Sequence, residues 1–134
     1  MTMAMALTGL IVELLEADAT LQARGIRAFV QPPPLLQFPY ILLGPVQSQD
    51  WSAQGVTAQS HMLHLAIWTR DTPLTLLEEL QNAVQNLMQQ LPVRHGAYNI
   101  GCATLLLGET RHDAATQVTS WQADYRIRTL EIKG

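Results

Sequence analysis

Residues 58–69 constrain this chain more than any other stretch. His61, Leu63, Leu65 and Ile67 alternate with Met62, His64, Ala66 and Trp68, which is the two-residue period of a β-strand. Apolar groups occupy both phases of that alternation. Such a strand belongs inside a sheet, with one face packed on helices and the other available to a neighbouring subunit. Thr72-Pro73 follows at once and spells a helix start, with Thr72 as N-cap and Pro73 at the first helical position. The helix is expected to run to about Leu91, where Pro92 stops it. Leu76, Leu77, Leu80, Val84, Leu87, Met88 and Leu91 form its buried stripe, and Glu78, Gln81, Asn82, Gln85 and Gln89 its other face.

The flanking segments build a sheet around this pair. Leu7, Leu10, Ile11, Leu14 and Leu15 recur at helical spacing, predicting an amphipathic helix over residues 4–17. Asp18 ends that helix or caps a short turn at Thr20–Ala23, which Gly25 closes. Ile26, Ala28 and Val30 alternate as a short edge strand that Pro32-Pro33-Pro34 interrupts, giving a stiff extended connector. Tyr40–Leu43 is a second strand, bounded by Gly44-Pro45. Residues 44–57 read as a long loop, and loops of that length in small domains are usually functional or disordered. Trp51 within it either meets a partner or folds back to cap the core. Residues 98–109 and 117–132 are two long strands joined by the polar turn Arg111-His112-Asp113-Ala114-Ala115-Thr116. In the second, Trp121, Ala123, Tyr125 and Ile127 face the core, while Gln122, Asp124, Arg126 and Arg128 face outward. The order helix, strand, strand, strand, helix, strand, strand predicts an α+β fold: an antiparallel or mixed sheet of about five strands with two main helices packed on one face. The 134 residues fit a single domain over 1–134.

Charge narrows the function. Only 14% of residues are charged, against about 25% in an average soluble domain, and Lys133 is the single lysine. Thirteen glutamines supply polarity instead, several of them at Gln81, Gln85, Gln89 and Gln90. This is either compositional drift in a GC-rich genome or a surface that sheds water cheaply, as interfaces depleted in Lys and Glu do. A net charge of −3 without a basic run argues against a protein whose main task is holding phosphates. Met1–Ala19 is apolar, yet Glu13, Glu16 and Asp18 interrupt it and no positive start precedes it. It is therefore read as neither signal peptide nor membrane span, and the chain as made and kept in a reducing cytoplasm. The acids on the polar face of the first helix favour core packing over lipid binding. Cys102, the sole cysteine, is read as a small core residue.

No catalytic constellation emerges. His61 and His64 lie an odd number of residues apart on a strand and point to opposite faces, so a shared metal is not expected. His95 and His112 fall in turns, with Asp113 beside the second, and no Cys or Glu cluster completes a zinc set. There is no nucleophile elbow, phosphate loop or dinucleotide fingerprint. No catalytic, cofactor or metal residue is assigned.

Taken in order, several segments carry a resemblance. The opening helix with Leu14-Leu15-Glu16-Ala17-Asp18, the Pro-rich approach to Pro39-Tyr40-Ile41-Leu42-Leu43-Gly44, then Asp50-Trp51-Ser52, His64-Leu65-Ala66-Ile67-Trp68, and Glu109-Thr110-Arg111-His112-Asp113 before a long strand resemble the tail terminator, or tail completion, proteins of long-tailed phages and gene transfer agents. The likeness extends from about residue 7 to 130, and its weight rests on order and spacing. It implies a structural virion protein that forms a ring, commonly hexameric, caps the head-proximal end of the finished tail tube, ends tail growth and meets the head connector. The implied partners are further copies of the chain, the tail tube protein and the stopper or adaptor of the connector. DNA is passing cargo only, and no membrane is involved. The implied location is the head–tail junction of a virion assembled in the host cytoplasm. On this basis Gln49, Asp50, Trp51 and Ser52, and Arg111, His112 and Asp113, are expected to contact partners; Gln81, Gln85, Gln89, Ile26 and Ala28 are expected to contact neighbouring subunits. The rival functions are a head-closure or adaptor protein and a small α+β domain with a ligand pocket around His64 and Trp68.

Overall fold

The computed structural model describes residues 2–33 and 37–131. Pro34 of the predicted connector and the predicted strand end at residue 132 lie outside them. Among the described residues three helices, α1 (Met3–Ala17), α2 (Ala19–Ala23) and α3 (Leu74–Gln89), accompany eight strands. The strands are β1 (Arg27–Phe29), β2 (Tyr40–Leu43), β3 (Gln47–Asp50), β4 (Ala58–Arg70), β5 (Arg94–His95), β6 (Tyr98–Ile100), β7 (Thr104–Asp113) and β8 (Val118–Glu131). The sheet runs β1-β2-β4-β8-β6-β5, with β3 also on β4 and β7 also on β8. All its pairs are antiparallel except β1 with β2, which makes the α+β sheet mixed.

β4 and β8 form its spine, pairing without interruption from Ala58 opposite Leu130 to Arg70 opposite Val118. The predicted alternation holds. Leu63, Leu65 and Ile67 of β4 and Trp121, Ala123, Tyr125 and Ile127 of β8 are buried on one face, in one cluster with Leu7, Ile11 and Leu15 of α1 and Leu77, Leu80, Val84 and Met88 of α3. The opposite phase, His64, Trp68, Gln122, Asp124, Arg126 and Arg128, is only half-buried.

Local chemistry sets the boundaries. The Thr2 hydroxyl caps α1 by accepting from the Met5 amide at 3.2 Å. Asp18 does both things foreseen for it: it ends α1, and its carboxylate accepts from the Leu21 amide at 3.1 Å to open α2. Gly25 then turns the chain at φ +68°, a conformation that costs a residue with a Cβ about 1–2 kcal/mol. Nothing lies within 4 Å of an added Cβ there, so Gly25→Ala should lower the unfolding free energy through backbone strain alone. Gly25→Asn should lower it less, and urea denaturation of the two variants checks this.

Several expectations are corrected. Pro73, not Thr72, is the N-cap of α3, because the Thr72 hydroxyl turns back to the Arg70 carbonyl at 2.9 Å. Strands number eight because three short ones were not foreseen as separate elements. Residues 47–50 of the predicted loop are β3, paired to β4 from Gln47 opposite Met62 to Asp50 opposite Gln59. The strand expected over 98–109 is broken at residues 101–103, so that β6 and β7 occupy successive stretches of the same edge of β8. At that break Cys102 is exposed rather than in the core, although Ile100 is buried and Ala103 packs on the core cluster. β7 extends to Asp113, so Arg111, His112 and Asp113 are strand residues, and the turn itself is residues 114–117. Ile26 and Ala28, expected at a subunit contact, are 5% and 7% exposed and belong to the core. The free edge beside them is also occupied, since the Ala28 amide donates to the Glu16 carboxylate of α1.

Candidate docking site

The helix-free face of the sheet carries most of the residues expected to meet partners, in two clusters at its opposite ends. The first is built on the β3–β4 hairpin. Its tip, Gln54-Gly55, has φ of +38° and +81°, the positive pair that a tight two-residue hairpin turn demands. Ala53 and Val56 bridge across it with amide-to-carbonyl bonds of 3.2 and 2.9 Å. The Ser52 amide donates to Asp50 at 3.0 Å, and the Ser52 hydroxyl accepts from the Ala58 amide at 2.9 Å. Hydrogen bonds from Ser52 also hold the exposed Asp50 carboxyl below the usual carboxylate range. Trp51, whose amide donates to the Ala58 carbonyl at 2.9 Å, is thereby fixed on a braced ribbon. Its side chain is 50% exposed, and the Arg128 guanidinium lies 4.2 Å from the centre of its ring. Of the two roles open to Trp51 in the sequence, capping the core is excluded.

The second cluster gathers where β7 meets β8. Arg111 pairs with Glu109 at 3.2 Å, His112 Nδ1 hydrogen-bonds the Thr119 hydroxyl at 2.7 Å, and Asp113 accepts from the Ala115 amide at 3.0 Å. These three residues line an open cavity of about 450 Å³ together with Phe38, Tyr40 and Trp68. Phe38 is tilted against Tyr40 at 5.5 Å between ring centres, with Arg70 5.9 Å above it. The Trp68 indole N–H is enclosed without a hydrogen-bond partner. Sequence reasoning did not bring the aromatic residues to Arg111–Asp113, and their convergence depends on β2 and β8 flanking β4. The ligand pocket expected at His64 and Trp68 does not include His64, whose Nδ1 is hydrogen-bonded to Asp124 at 2.7 Å.

The two clusters are far apart. Trp51 is bonded opposite Ala58, at one end of the 13-residue β4, and Asp113 lies beside Val118, which faces Arg70 at the other. At about 3.3 Å per residue the separation approaches about 40 Å. Between them, on the flank, all ten residues of β7 are exposed, among them Leu105, Leu106 and Leu107 at 42%, 44% and 58%. Of the residues expected at subunit contacts, Gln81 and Gln85 are half-buried and Gln89 exposed on α3.

One arrangement on the helix side mimics catalytic geometry and was missed. Ser48 Oγ lies 2.7 Å from Nδ1 of the fully buried His61, whose Nε2 is 2.9 Å from the Thr129 hydroxyl. A nucleophile needs a base that can carry a proton, steadied by a carboxylate. Here burial lowers the His61 pKa below its ordinary 6.5, and a threonine stands where the carboxylate would be. The network is suited to tying β3, β4 and β8 together with a neutral imidazole. The unfolded chain binds a proton on His61 near pH 6.5 and the folded chain only at lower pH, so this contribution to stability is complete above about 6.5 and declines as pH falls below it. Urea midpoints measured between pH 7.5 and 5.5 should fall, and His61→Gln should flatten the slope. Among the described residues no group of three His, Cys, Asp or Glu could hold a metal, and no helix is long and apolar enough to cross a membrane.

The fold is a helix-backed, mostly antiparallel sheet with an exposed side-chain cluster at either end. The family model described as tail completion protein gp17 matches residues 9–130, and the chain belongs to that family of phage tail structural proteins. Two solved structures share the fold. A chain in the virion of a native gene transfer agent particle superposes with a TM-score of 0.79 at 19% identity, over 95% of this chain and 96% of that one. The gp17 protein of bacteriophage SPP1 superposes with a TM-score of 0.61 at 16% identity, over 98% and 91%. No curated protein matches the sequence. As a member of that family the chain is a structural protein of the phage tail with a tail completion, or tail terminator, role.

Proposed function

We propose that this protein forms a ring, most simply a hexamer, at the head-proximal end of the tail tube, where it ends tube growth and joins the tail to the head connector without catalysing a reaction. The observation that carries this reading is the placement of the two exposed clusters at opposite ends of one rigid sheet. A protein that joins two different structures along an axis needs a docking surface at each end and subunit contacts on its flanks. Gln49, Asp50, Trp51 and Ser52 serve one end in this reading; Arg111, His112 and Asp113, with their aromatic neighbours, serve the other. A cyclic ring uses two different patches of each subunit. The exposed β7 edge with Leu105–Leu107 and the Gln81, Gln85 and Gln89 face of α3 supply such a pair. Edge strands of this kind are normally covered. The shortage of lysine suits a channel through which DNA slides.

Electron microscopy of the purified chain mixed with tubes assembled from the tube protein of the same genome tests this. A ring at one tube end only, with growth arrested, is expected. Bare, growing ends in the presence of folded protein would reject tail termination, and attachment to heads without tails would favour the adaptor role. Leu105→Lys combined with Leu107→Lys should leave the subunit folded and shift it from ring to monomer in native mass spectrometry.

A further inference from the structure

Beside the hairpin that carries Trp51, the two outward arginines of β8 open onto a groove of about 420 Å³ at the break between β6 and β7. Arg126 and Arg128 project from the same face two residues apart, which spaces them by about 7 Å. Trp51 forms one wall, and Cys102 and Leu130 line the groove further along. The groove lining contains no carboxylate. Among the described residues Arg126 and Arg128, like Arg27, Arg70 and Arg94, have no acidic partner; what sets this pair apart is that both line one groove. The Arg128 Nε–H is moreover enclosed and without a hydrogen-bond partner. Two guanidinium groups left unpaired in a chain of net charge −3, one with a sequestered donor, are a feature that calls for a missing acceptor.

Guanidinium forks match carboxylates bidentately, and Trp and Arg are the residues around which protein contacts concentrate their energy. We infer that this groove is a receptor for a carboxylate-bearing segment of the protein docked at that end of the ring, an acidic side chain entering between Arg126 and Arg128 while its apolar neighbours lie against Trp51. The inference rests on the axial docking role proposed above. A nucleic-acid ligand fits less well, because two cations neutralise too few phosphates for useful affinity.

Cys102 gives a direct readout, because the sole thiol of the chain is exposed and lines the groove. The full chain is titrated with hexaglutamate peptide at low ionic strength, following alkylation of Cys102 by neutral iodoacetamide, in parallel with a duplex DNA of equal charge. Saturable protection by hexaglutamate is expected, weakened at least about tenfold in Arg126→Gln/Arg128→Gln and partly kept in Arg126→Lys/Arg128→Lys, with an unchanged melting temperature. Absent protection, protection equal in the Gln variant, or stronger protection by DNA would overturn the inference. The same variants are then mixed with tail tubes and with connector-bearing heads. The Gln pair should lose one of these partners and keep its ring; loss of the ring would overturn the axial assignment. Capping of tubes by the wild-type chain without a hexaglutamate site would leave tail termination standing and reject the groove. Hexaglutamate binding without capping would do the reverse.

Discussion

Leu65→Ala is expected to lower the unfolding free energy by roughly 2–5 kcal/mol, the range for emptying a well-packed leucine site. Leu65 is fully buried on β4, paired to Leu43 on one side and Ala123 on the other, in the cluster shared with α1 and α3. The neighbour at Ala123 is already small, and the spine is held from Ala58 to Arg70 by β8, so the walls have little means to close on the void. Against a total stability of about 5–15 kcal/mol, the loss is large enough to unfold a substantial part of the population on modest heating. Thermal and urea denaturation of Leu65→Ala beside Leu65→Met measure it. A methionine of similar volume should cost less than about 1.5 kcal/mol, and an equal loss in both would place the effect in the backbone instead.

Trp51→Ala should show the opposite pattern, a small effect on folding and a large one on assembly. Its indole is 50% exposed, and its main interaction within the chain is the Arg128 stack, worth about 0.5–1 kcal/mol at such a site. The hairpin beneath it is held by bonds from Ser52, Ala53, Val56 and Ala58 that do not involve the side chain. As the aromatic anchor of a docking surface it would contribute about 2 kcal/mol or more, which corresponds to binding weakened about thirty-fold. Quantitative tube and head attachment by sedimentation, with melting temperature as the control, separates the two effects. Trp51→Phe should recover part of the binding. Unchanged attachment to both partners would remove Trp51 from the interface.

Much of this was legible in the chain because it is local. The alternation over residues 58–69 and 121–127 correctly assigned each side chain to a face, since a period of two leaves no freedom once one face is apolar. It also separated His61 from His64, one now buried between Ser48 and Thr129 and the other hydrogen-bonded to Asp124. Asp18 signalled both the end of one helix and the start of the next through a single capping chemistry. The family resemblance, carried by segments in a fixed order, agreed with the family match over residues 9–130.

The failures share a cause. β3 was hidden because Gln47-Ser48-Gln49-Asp50 is polar throughout and fully exposed, so it carries no periodic signal; its pairing with β4 alone makes it a strand. The break at residues 101–103 is a matter of register with β8: Ile100 faces Thr129 and Thr104 faces Arg126, so three residues stand opposite two, which no local pattern announces. Cys102 was assigned to the core by its apolar neighbours, yet where the strand is broken composition cannot tell which way a side chain turns.

By itself the sequence determined which face the residues of the two spine strands take, where the two main helices lie to within a residue or two, and which family the chain joins, because these depend on side-chain period, capping and segment order along the backbone. Tertiary structure alone decided that Trp51 stacks with Arg128 beside Arg126, that Phe38, Tyr40 and Trp68 line one cavity with Arg111–Asp113, and that the two clusters stand at opposite ends of one sheet. Those contacts join residues distant in the chain through strand pairing, and the pairing is selected by the burial of the whole core rather than by any segment's own preference.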